Sequence, residues 1–387
     1  MSFRGFVKLL LCQFFKLFSI KNNRILFMAY DGKEFSCNPR AMYEYLKSLD
    51  EEFEFIWAIS DFSKIPNNEN VIKIKPNNYI KYWFYQATSK YAFNNYGFDP
   101  YLKRKGTVWI NTWHGGGAFK RINWKLNMTP AVKQRKILSG KATDIYVSNS
   151  GAFTDFQSGD EFMDKDKFVP TGMPRNDAFF VPQKVKAMRA KGRMFFNFTD
   201  EDFVVLYAPT YRGLEETREY DLNFDFHSAY KRFCELTGKN VKFLFRAHRS
   251  MLHNCNLKHD LIIDATGYAD MQDLLCATDF LITDYSSSIW DYSLLGKPCM
   301  LFAPDLKKYQ DERGFYTPIE SWPYNFYESN EDFIKNISLA VDREKIAGYQ
   351  NLVGSYETGH ACEKLWKICT EGKCIMKNFD GEEERYD

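Results

Sequence analysis

The chain has 387 residues, 45% hydrophobic and 26% charged, which is ordinary globular composition and excludes a disordered chain or a disulfide miniprotein. Lys and Arg number 52 against 50 Asp and Glu, and a net charge of +2 argues against a general nucleic-acid binder. Nine scattered cysteines without a CxxC pair read as reduced thiols and argue against a zinc site. Aromatic residues reach 17%; core packing accounts for most of them, with carbohydrate, nucleobase or membrane-interface contact as further uses. Two stretches are locally basic. Residues 1–30 hold Arg4, Lys8, Lys16, Lys21 and Arg24 with no acid, and ten Lys or Arg lie between Asp99 and Asp144, again with no acid.

The first twenty residues read as an amphipathic helix. Phe3, Phe6, Val7, Leu10, Phe14, Leu17 and Phe18 recur at i, i+3, i+4 spacing, and Arg4, Lys8, Lys16 and Ser19 fall opposite. Lys16 interrupts the apolar run, so the helix is too broken to span a bilayer, and no cleavage site marks a secretory signal. A Phe-rich face set against a cationic one suits an anionic membrane surface, on the cytoplasmic side given the thiols. The competing reading is a helix packed on the protein's own core.

Short apolar runs then alternate with helical stretches. Strands are expected at Arg24–Tyr30, Phe53–Ile59, Val71–Ile74, Tyr91–Phe93 and Val108–Thr112, with helices from Pro39 to Lys47 and from Ile80 to Ser89. The second half repeats the pattern, with strands at Phe203–Tyr207, Val241–Phe245, Leu261–Ile263, Phe280–Thr283 and Cys299–Phe302. Its helices are expected at His227–Leu236, Met271–Cys276 and from about Ile289. Such alternation means parallel sheets covered on both faces. The Lys-rich stretch 181–202 reads as the boundary. The expected fold is therefore α/β, two Rossmann-like domains, with ligands at the carboxyl ends of the strands. The division is 1–22 membrane-association helix, 23–190 first domain, 191–370 second domain and 371–387 polar tail.

Three strand ends carry groups suited to chemistry. Thr112-Trp113-His114-Gly115-Gly116-Gly117-Ala118-Phe119-Lys120-Arg121 places a histidine before backbone that glycines leave open, followed by two cations. It is not a P-loop, because the glycines are consecutive and no Ser or Thr follows the lysine. Phe245-Arg246-Ala247-His248-Arg249 sets a histidine between two arginines that suit phosphate. Thr283-Asp284-Tyr285-Ser286-Ser287-Ser288 presents three hydroxyls at a helix start, which is an anion site built without metal; the plainer reading is a helix cap. No metal-ligand spacing occurs, and His227, His253, His259 and His360 have no sequence neighbours that give them a role.

Together these pieces resemble the CDP-glycerol glycerophosphotransferase family of wall teichoic acid primases and polymerases, with relatives in capsule synthesis. The resemblance runs from about Arg24 to about Cys362. It rests on Asn38-Pro39-Arg40, Thr112-Trp113-His114-Gly115, Val147-Ser148-Asn149-Ser150, Gly172-Met173-Pro174-Arg175-Asn176-Asp177, Tyr207-Ala208-Pro209-Thr210-Tyr211-Arg212, Arg246-Ala247-His248, the Ser286–Ser288 segment and Gly296-Lys297-Pro298 through Ala303-Pro304-Asp305. It implies a GT-B arrangement, with an acceptor domain first, a donor domain second and the active-site cleft between. The implied reaction moves a polyol phosphate from a CDP-polyol to a hydroxyl of an undecaprenyl-diphosphate-linked or similar anionic lipid acceptor, releasing CMP.

By the same resemblance, His114 is the base on the acceptor hydroxyl and His248 with Arg246 neutralises the donor diphosphate. Thr210, Arg212, Thr283, Asp284, Ser286, Ser287 and Ser288 complete the donor side. Gly115, Gly116, Gly117, Lys120 and Arg121 face the acceptor, in a loop where many members read His-Gly-Thr-Pro-Leu-Lys instead. Arg4, Phe6, Lys8, Leu10, Phe14, Lys16 and Phe18 carry membrane association. No cofactor, metal or nucleic acid is implied, and oligomer formation is left open. The expected place is the cytoplasmic face of the bacterial plasma membrane, held peripherally. Polymerases of the family often carry an extra amino-terminal region, which favours a primase-like or capsule-linkage enzyme. A nucleotide-sugar glycosyltransferase on the same fold is the alternative function, and a membrane-surface scaffold without catalysis is a further one.

Overall fold

The structure, a computed structural model, describes residues 10–121, 128–210, 223–247 and 259–372. Arg4, Phe6, Lys8, Arg212 and His248 lie outside the described residues.

The chain forms two compact units: residues 1–114, 128–177 and 356–387 make unit 1, and residues 115–127 and 178–355 make unit 2. Unit 1 holds a seven-stranded parallel sheet of β1 (Lys21–Met28), β2 (Glu54–Ala58), β3 (Ile72–Ile74), β4 (Ser89–Asn94), β5 (Val108–Asn111), β6 (Ile145–Ser148) and β7 (Phe168–Pro170), in the order β3-β2-β1-β4-β5-β6-β7. Unit 2 holds a six-stranded parallel sheet of β8 (Asp202–Tyr207), β9 (Asn240–Phe245), β10 (Ile262–Asp264), β11 (Phe280–Thr283), β12 (Cys299–Phe302) and β13 (Phe326–Tyr327), ordered β10-β9-β8-β11-β12-β13. The order reverses between β1 and β4 in the first sheet and between β8 and β11 in the second. In open α/β sheets a crevice opens at the carboxyl ends of the strands at such a reversal.

Much of the aromatic richness is core. On β1, Phe27 is in register with Trp57 of β2 and Phe93 of β4. Its ring stacks on both at 5.4 Å, so aromatic side chains zip three strands together. In unit 2, Phe226, Phe233, Phe243, Phe245, Phe280 and Phe302 are buried in one cluster. The described cysteines are free thiols, all buried but Cys234.

The stretch 181–202, read from sequence as a boundary, is largely a helix, Pro182–Phe195, within unit 2. Pro182 suits its first turn, and Gly192 lies so close to Asp273 and Ala277 that a Cβ would stand 2.9 Å from each. The last helix, Ala361–Glu371, groups with unit 1, although the division 23–190 and 191–370 assigns it to the second domain. Asp177 accepts from the backbone N–H of Ala361 and Cys362, both at 2.8 Å. Trp366 packs on Phe53 and Tyr91. A return of this kind has no local sequence signal.

Several cations of the two basic stretches are engaged inside unit 1. Arg24 is buried, donating to Glu54 at 2.9 and 3.1 Å and to Thr88 at 2.6 Å. Lys103 pairs with Asp144, and Lys136 with Glu161 at 2.8 Å. The expectation that these stretches as a whole await an anion is therefore narrowed to their exposed members, such as Lys105, Lys133, Arg135 and Lys141.

Candidate active site

In unit 1, β5 ends at Asn111 and three residues later presents His114. The turn between them is strained: Trp113 sits at φ 51°, in left-handed space that a bulky side chain occupies only when its surroundings hold it. Those surroundings are polar and buried. Asn111 Oδ1 accepts from Trp113 N at 2.9 Å. Asn38 Nδ2 donates to the carbonyls of Thr112 at 2.8 Å and Trp113 at 3.0 Å, while its Oδ1 accepts from Arg175 N at 3.1 Å. The Arg175 guanidinium closes the ring by donating to the His114 carbonyl at 2.7 Å.

The imidazole has a defined tautomer. His114 Nδ1 lies 3.0 Å from the Asn95 carbonyl oxygen, which only accepts, so Nδ1 carries the proton. In the neutral ring Nε2 then holds the lone pair, as a general base requires. The rings of Trp113, Tyr96 and Tyr30 lie 4.3, 4.8 and 5.9 Å from the imidazole. Tyr30 follows β1 and Tyr96 follows β4, the two strands at the reversal.

In unit 2, Thr210 follows β8 and Asp284 follows β11, again at the reversal. Asp284 accepts from Thr210 N at 2.8 Å and from Tyr285 N at 2.5 Å. Thr283 donates to the Ala208 carbonyl at 2.7 Å. Both side chains thus position the two strand ends against each other. Arg246 N donates to Tyr207 O at 2.9 Å, and its guanidinium to Tyr268 O at 2.8 Å, which fixes the arginine at the end of β9. Ser286 Oγ accepts from Ser288 N at 3.3 Å, and Ser287 precedes the short helix Ser288–Leu294 without a side-chain capping bond. The Ser288 hydroxyl is buried and has no hydrogen-bond partner among the described residues.

The chain leaves unit 1 after His114, and Gly115–Arg121 belong to unit 2. There Lys120 pairs with Phe315 as an antiparallel bridge, and Arg121 Nε donates to the Phe315 carbonyl at 3.2 Å. Phe119 is buried, stacked on Tyr349 at 5.3 Å and edge-on to Trp322 at 4.9 Å. Gly117 sits at φ +70°, and a Cβ there would collide with the Phe119 ring. One glycine of the three is thus explained by the chain's own packing rather than by a ligand.

Near the amino end, residues 10–15 are helical. Cys12 and Phe15 are buried, and the Phe15 and Phe18 rings meet Phe84 at 6.4 and 5.4 Å. Leu10, Phe14, Leu17 and Phe18 are 55%, 51%, 81% and 41% exposed. Burial lowers the pKa of Lys16. The two buried residues of this helix, Cys12 and Phe15, are outside the apolar face read from sequence, while Phe18 of that face also packs on Phe84. No helix among the described residues is long and apolar enough to cross a membrane.

His227 and His259, far apart in sequence, have rings 5.1 Å apart beside Asp260, and among the described residues these three form a group that could hold a metal ion. His227 and Asp260 are exposed there.

Asn38, Arg175, Asn95, Tyr30 and Tyr96 were given no role from sequence. Asn38 and Arg175 stand in motifs that carry the family resemblance, so a signal existed without a meaning. Tyr30, Asn95 and Tyr96 gain significance only once the strand order is known.

The model of the CDP-glycerol:poly(glycerophosphate) glycerophosphotransferase family matches residues 10–370. A teichoic acid poly(glycerol phosphate) polymerase of Bacillus spizizenii is 27% identical over 88% of this chain and 90% of its own length. The teichoic acid glycerol-phosphate transferase of Staphylococcus aureus is 28% identical over 78% of this chain and 80% of its own. The chain spans only 50% of the Staphylococcus epidermidis poly(glycerol phosphate) polymerase, which is 27% identical. Among solved structures, a variant of the wall teichoic acid polymerase TagF soaked with CDPG is 25% identical, with a TM-score of 0.80 over 96% of this chain and 94% of that one. One of these polymerases is spanned almost end to end, so length gives no preference for a primase. The chain belongs to the CDP-glycerol:poly(glycerophosphate) glycerophosphotransferase family and is a transferase of that CDP-glycerol-using class.

Proposed function

We propose that this enzyme transfers a polyol phosphate, glycerol phosphate first among them, from its CDP-polyol to a hydroxyl of a lipid-linked glycan or polyol-phosphate acceptor and releases CMP, in teichoic acid or capsule-type polymer synthesis. The observation that carries the reading is the His114 ring, whose Nδ1–H is committed to the Asn95 carbonyl so that Nε2 is the basic atom. In this mechanism Nε2 takes the acceptor hydroxyl proton. The oxygen attacks the phosphorus bearing the polyol, the bond from that phosphorus to the bridging oxygen breaks, and CMP leaves with the electron pair. Phosphoryl transfer of this kind depends on positioning and charge neutralisation rather than covalent help.

On the donor side the reading assigns Arg246 to the diphosphate, with His248 and Arg212 from outside the described residues. Thr210 and Ser286 to Ser288 supply hydroxyl and amide donors, with Thr283 and Asp284 holding the loop that bears Thr210. The buried Ser288 hydroxyl, without a partner among the described residues, supports this, because such groups are normally satisfied. A GT-B arrangement of the two units is part of the proposal, supported by two parallel sheets of the same strand order. A transfer that requires no metal is also part of it. So is peripheral attachment to the cytoplasmic leaflet through the amino-terminal helix, supported by the exposed Leu10, Phe14, Leu17 and Phe18.

The test is nucleotide release by the purified chain with bacterial membranes as acceptor source, comparing CDP-glycerol, CDP-ribitol and UDP-sugars. CMP release from one CDP-polyol supports the proposal and names the donor. UDP release from a UDP-sugar, with both CDP-polyols inert, moves the chain to the glycosyltransferase reading.

A further inference from the structure

We propose that Tyr30 and Tyr96 form the subsite that receives the acceptor, and that the unit bound there is an uncharged, hydroxyl-rich sugar ring rather than a phosphate. The inference deepens the reading of His114 as the base and rests on it.

The first ground is position. Tyr30 and Asp31 follow β1, and Asn95 and Tyr96 follow β4, so the four residues sit at the strand-order reversal of unit 1, where a ligand crevice forms. The second is construction. Tyr30 and Asp31 lie at φ 50° and 54°, and Gly32 follows at 76°. Two consecutive non-glycine residues in left-handed space persist only where the surroundings fix them. Here Tyr30 N donates to Asn95 Oδ1 at 2.8 Å. Tyr96 is fixed as well: its N–H donates to Asn94 Oδ1 at 3.0 Å, and Asn94 Nδ2 donates to the Gly97 carbonyl.

The third ground ties this shelf to the base. Asn95 holds Tyr30 with its side chain and His114 Nδ1 with its carbonyl, so one residue sets both. Its remaining donor, Asn95 Nδ2, is buried with no partner among the described residues. The rings of Tyr30 and Tyr96 meet edge to face at 5.7 Å, and Tyr96 is 42% exposed.

An exposed aromatic face is suited to a sugar, whose C–H face packs on the ring, and not to a phosphate, which has no such face. A sugar hydroxyl held here is presented to the imidazole from the side lined by Tyr96, 4.8 Å from the ring.

The experiment is saturation-transfer and titration NMR on the full chain with two probes, methyl N-acetyl-β-glucosaminide as a neutral glycoside and glycerol 3-phosphate as a charged one. Wild type should bind the glycoside in preference. Tyr96→Ala should weaken it about tenfold, the loss of one aromatic contact, and Tyr96→Phe should keep it. CDP-glycerol affinity should be the same in wild type, Tyr96→Ala and Tyr96→Phe. Unchanged glycoside binding in Tyr96→Ala, or preference for glycerol 3-phosphate, overturns the proposal. His114→Ala separates the two readings: it should abolish transfer yet bind the glycoside. Transfer that survives in His114→Ala refutes the base, while glycoside binding that depends on Tyr96 would still uphold the subsite.

Discussion

Replacing Asn38 with alanine tests whether the strained turn before His114 is held for catalysis. The substitution removes Nδ2 bonds to two buried carbonyls, Thr112 and Trp113, and the Oδ1 bond to Arg175 N. At about 1 kcal/mol net for each, with something added for buried groups left unpaired, the loss is about 3–5 kcal/mol. That is a large part of a typical stability of roughly 5–15 kcal/mol. Part of it falls on the local geometry, because Trp113 at φ 51° gains about 1–2 kcal/mol by relaxing once its carbonyl is released. Relaxation swings the His114 ring off the Asn95 carbonyl. We expect Asn38→Ala to melt several degrees lower and to lose about ten- to a hundredfold in kcat, with the KM for CDP-glycerol nearly unchanged. Asn38→Asp should be worse in kcat, since a carboxylate would face two carbonyl oxygens. The assay is steady-state CMP release alongside a thermal melt. An Asn38→Ala enzyme with wild-type kcat would show that the turn needs no such support, and the positioning argument would fail.

Gly117→Ala drives a Cβ into the Phe119 ring in left-handed backbone, so it should destabilise by about 2–4 kcal/mol, read as a lower melting temperature; an unshifted melt would contradict the packing account. Lys297 Nζ donates to the carbonyls of Cys276 and Thr278, both at 2.7 Å, at the end of the helix Met271–Ala277, and Lys297→Met should cost about 2–4 kcal/mol by leaving them unpaired. In denaturant titration, a midpoint equal to wild type would refute that role. Phe14→Ser with Leu17→Ser should cut cosedimentation with anionic vesicles by about tenfold or more while the melt stays unchanged, because both side chains are exposed; equal cosedimentation would remove the membrane role from this face. Transfer should persist in excess EDTA, and complete loss that magnesium reverses would contradict a site working on protein charges alone.

The parallel α/β character was legible because buried strands such as Leu206 in β8 and Ile282 in β11 stand in short apolar runs between helical segments. The helix expected at His227–Leu236 is observed at Phe226–Thr237, started by Asp225, whose side chain accepts from Ser228 N at 3.0 Å. The histidine after β5 was legible from its place at a strand end. What holds it was not, because Asn38 and Arg175 lie 137 residues apart and meet only through tertiary structure. The Gly-rich loop has a packing requirement that sequence does not display. Consecutive glycines suggest room for a ligand, but Phe119 occupies the space above Gly117. The basic stretches are alike in this, since sequence shows a charge without showing that Arg24 is already paired with Glu54. The amino-terminal helix carries two apolar faces, and periodicity alone does not say that Cys12 and Phe15 face inward while Phe14 and Leu17 face out.

The most direct test of the central claim follows the group that moves. CDP-glycerol labelled in its glycerol is incubated with bacterial membranes and either the wild-type chain or His114→Ala, and label is measured in the lipid-extractable and polymer fractions. The account predicts incorporation by wild type, matched mole for mole by CMP, and a loss of at least about a thousandfold in His114→Ala with the melt intact. Equal incorporation by His114→Ala, or CMP release by wild type without label in any acceptor, would contradict it.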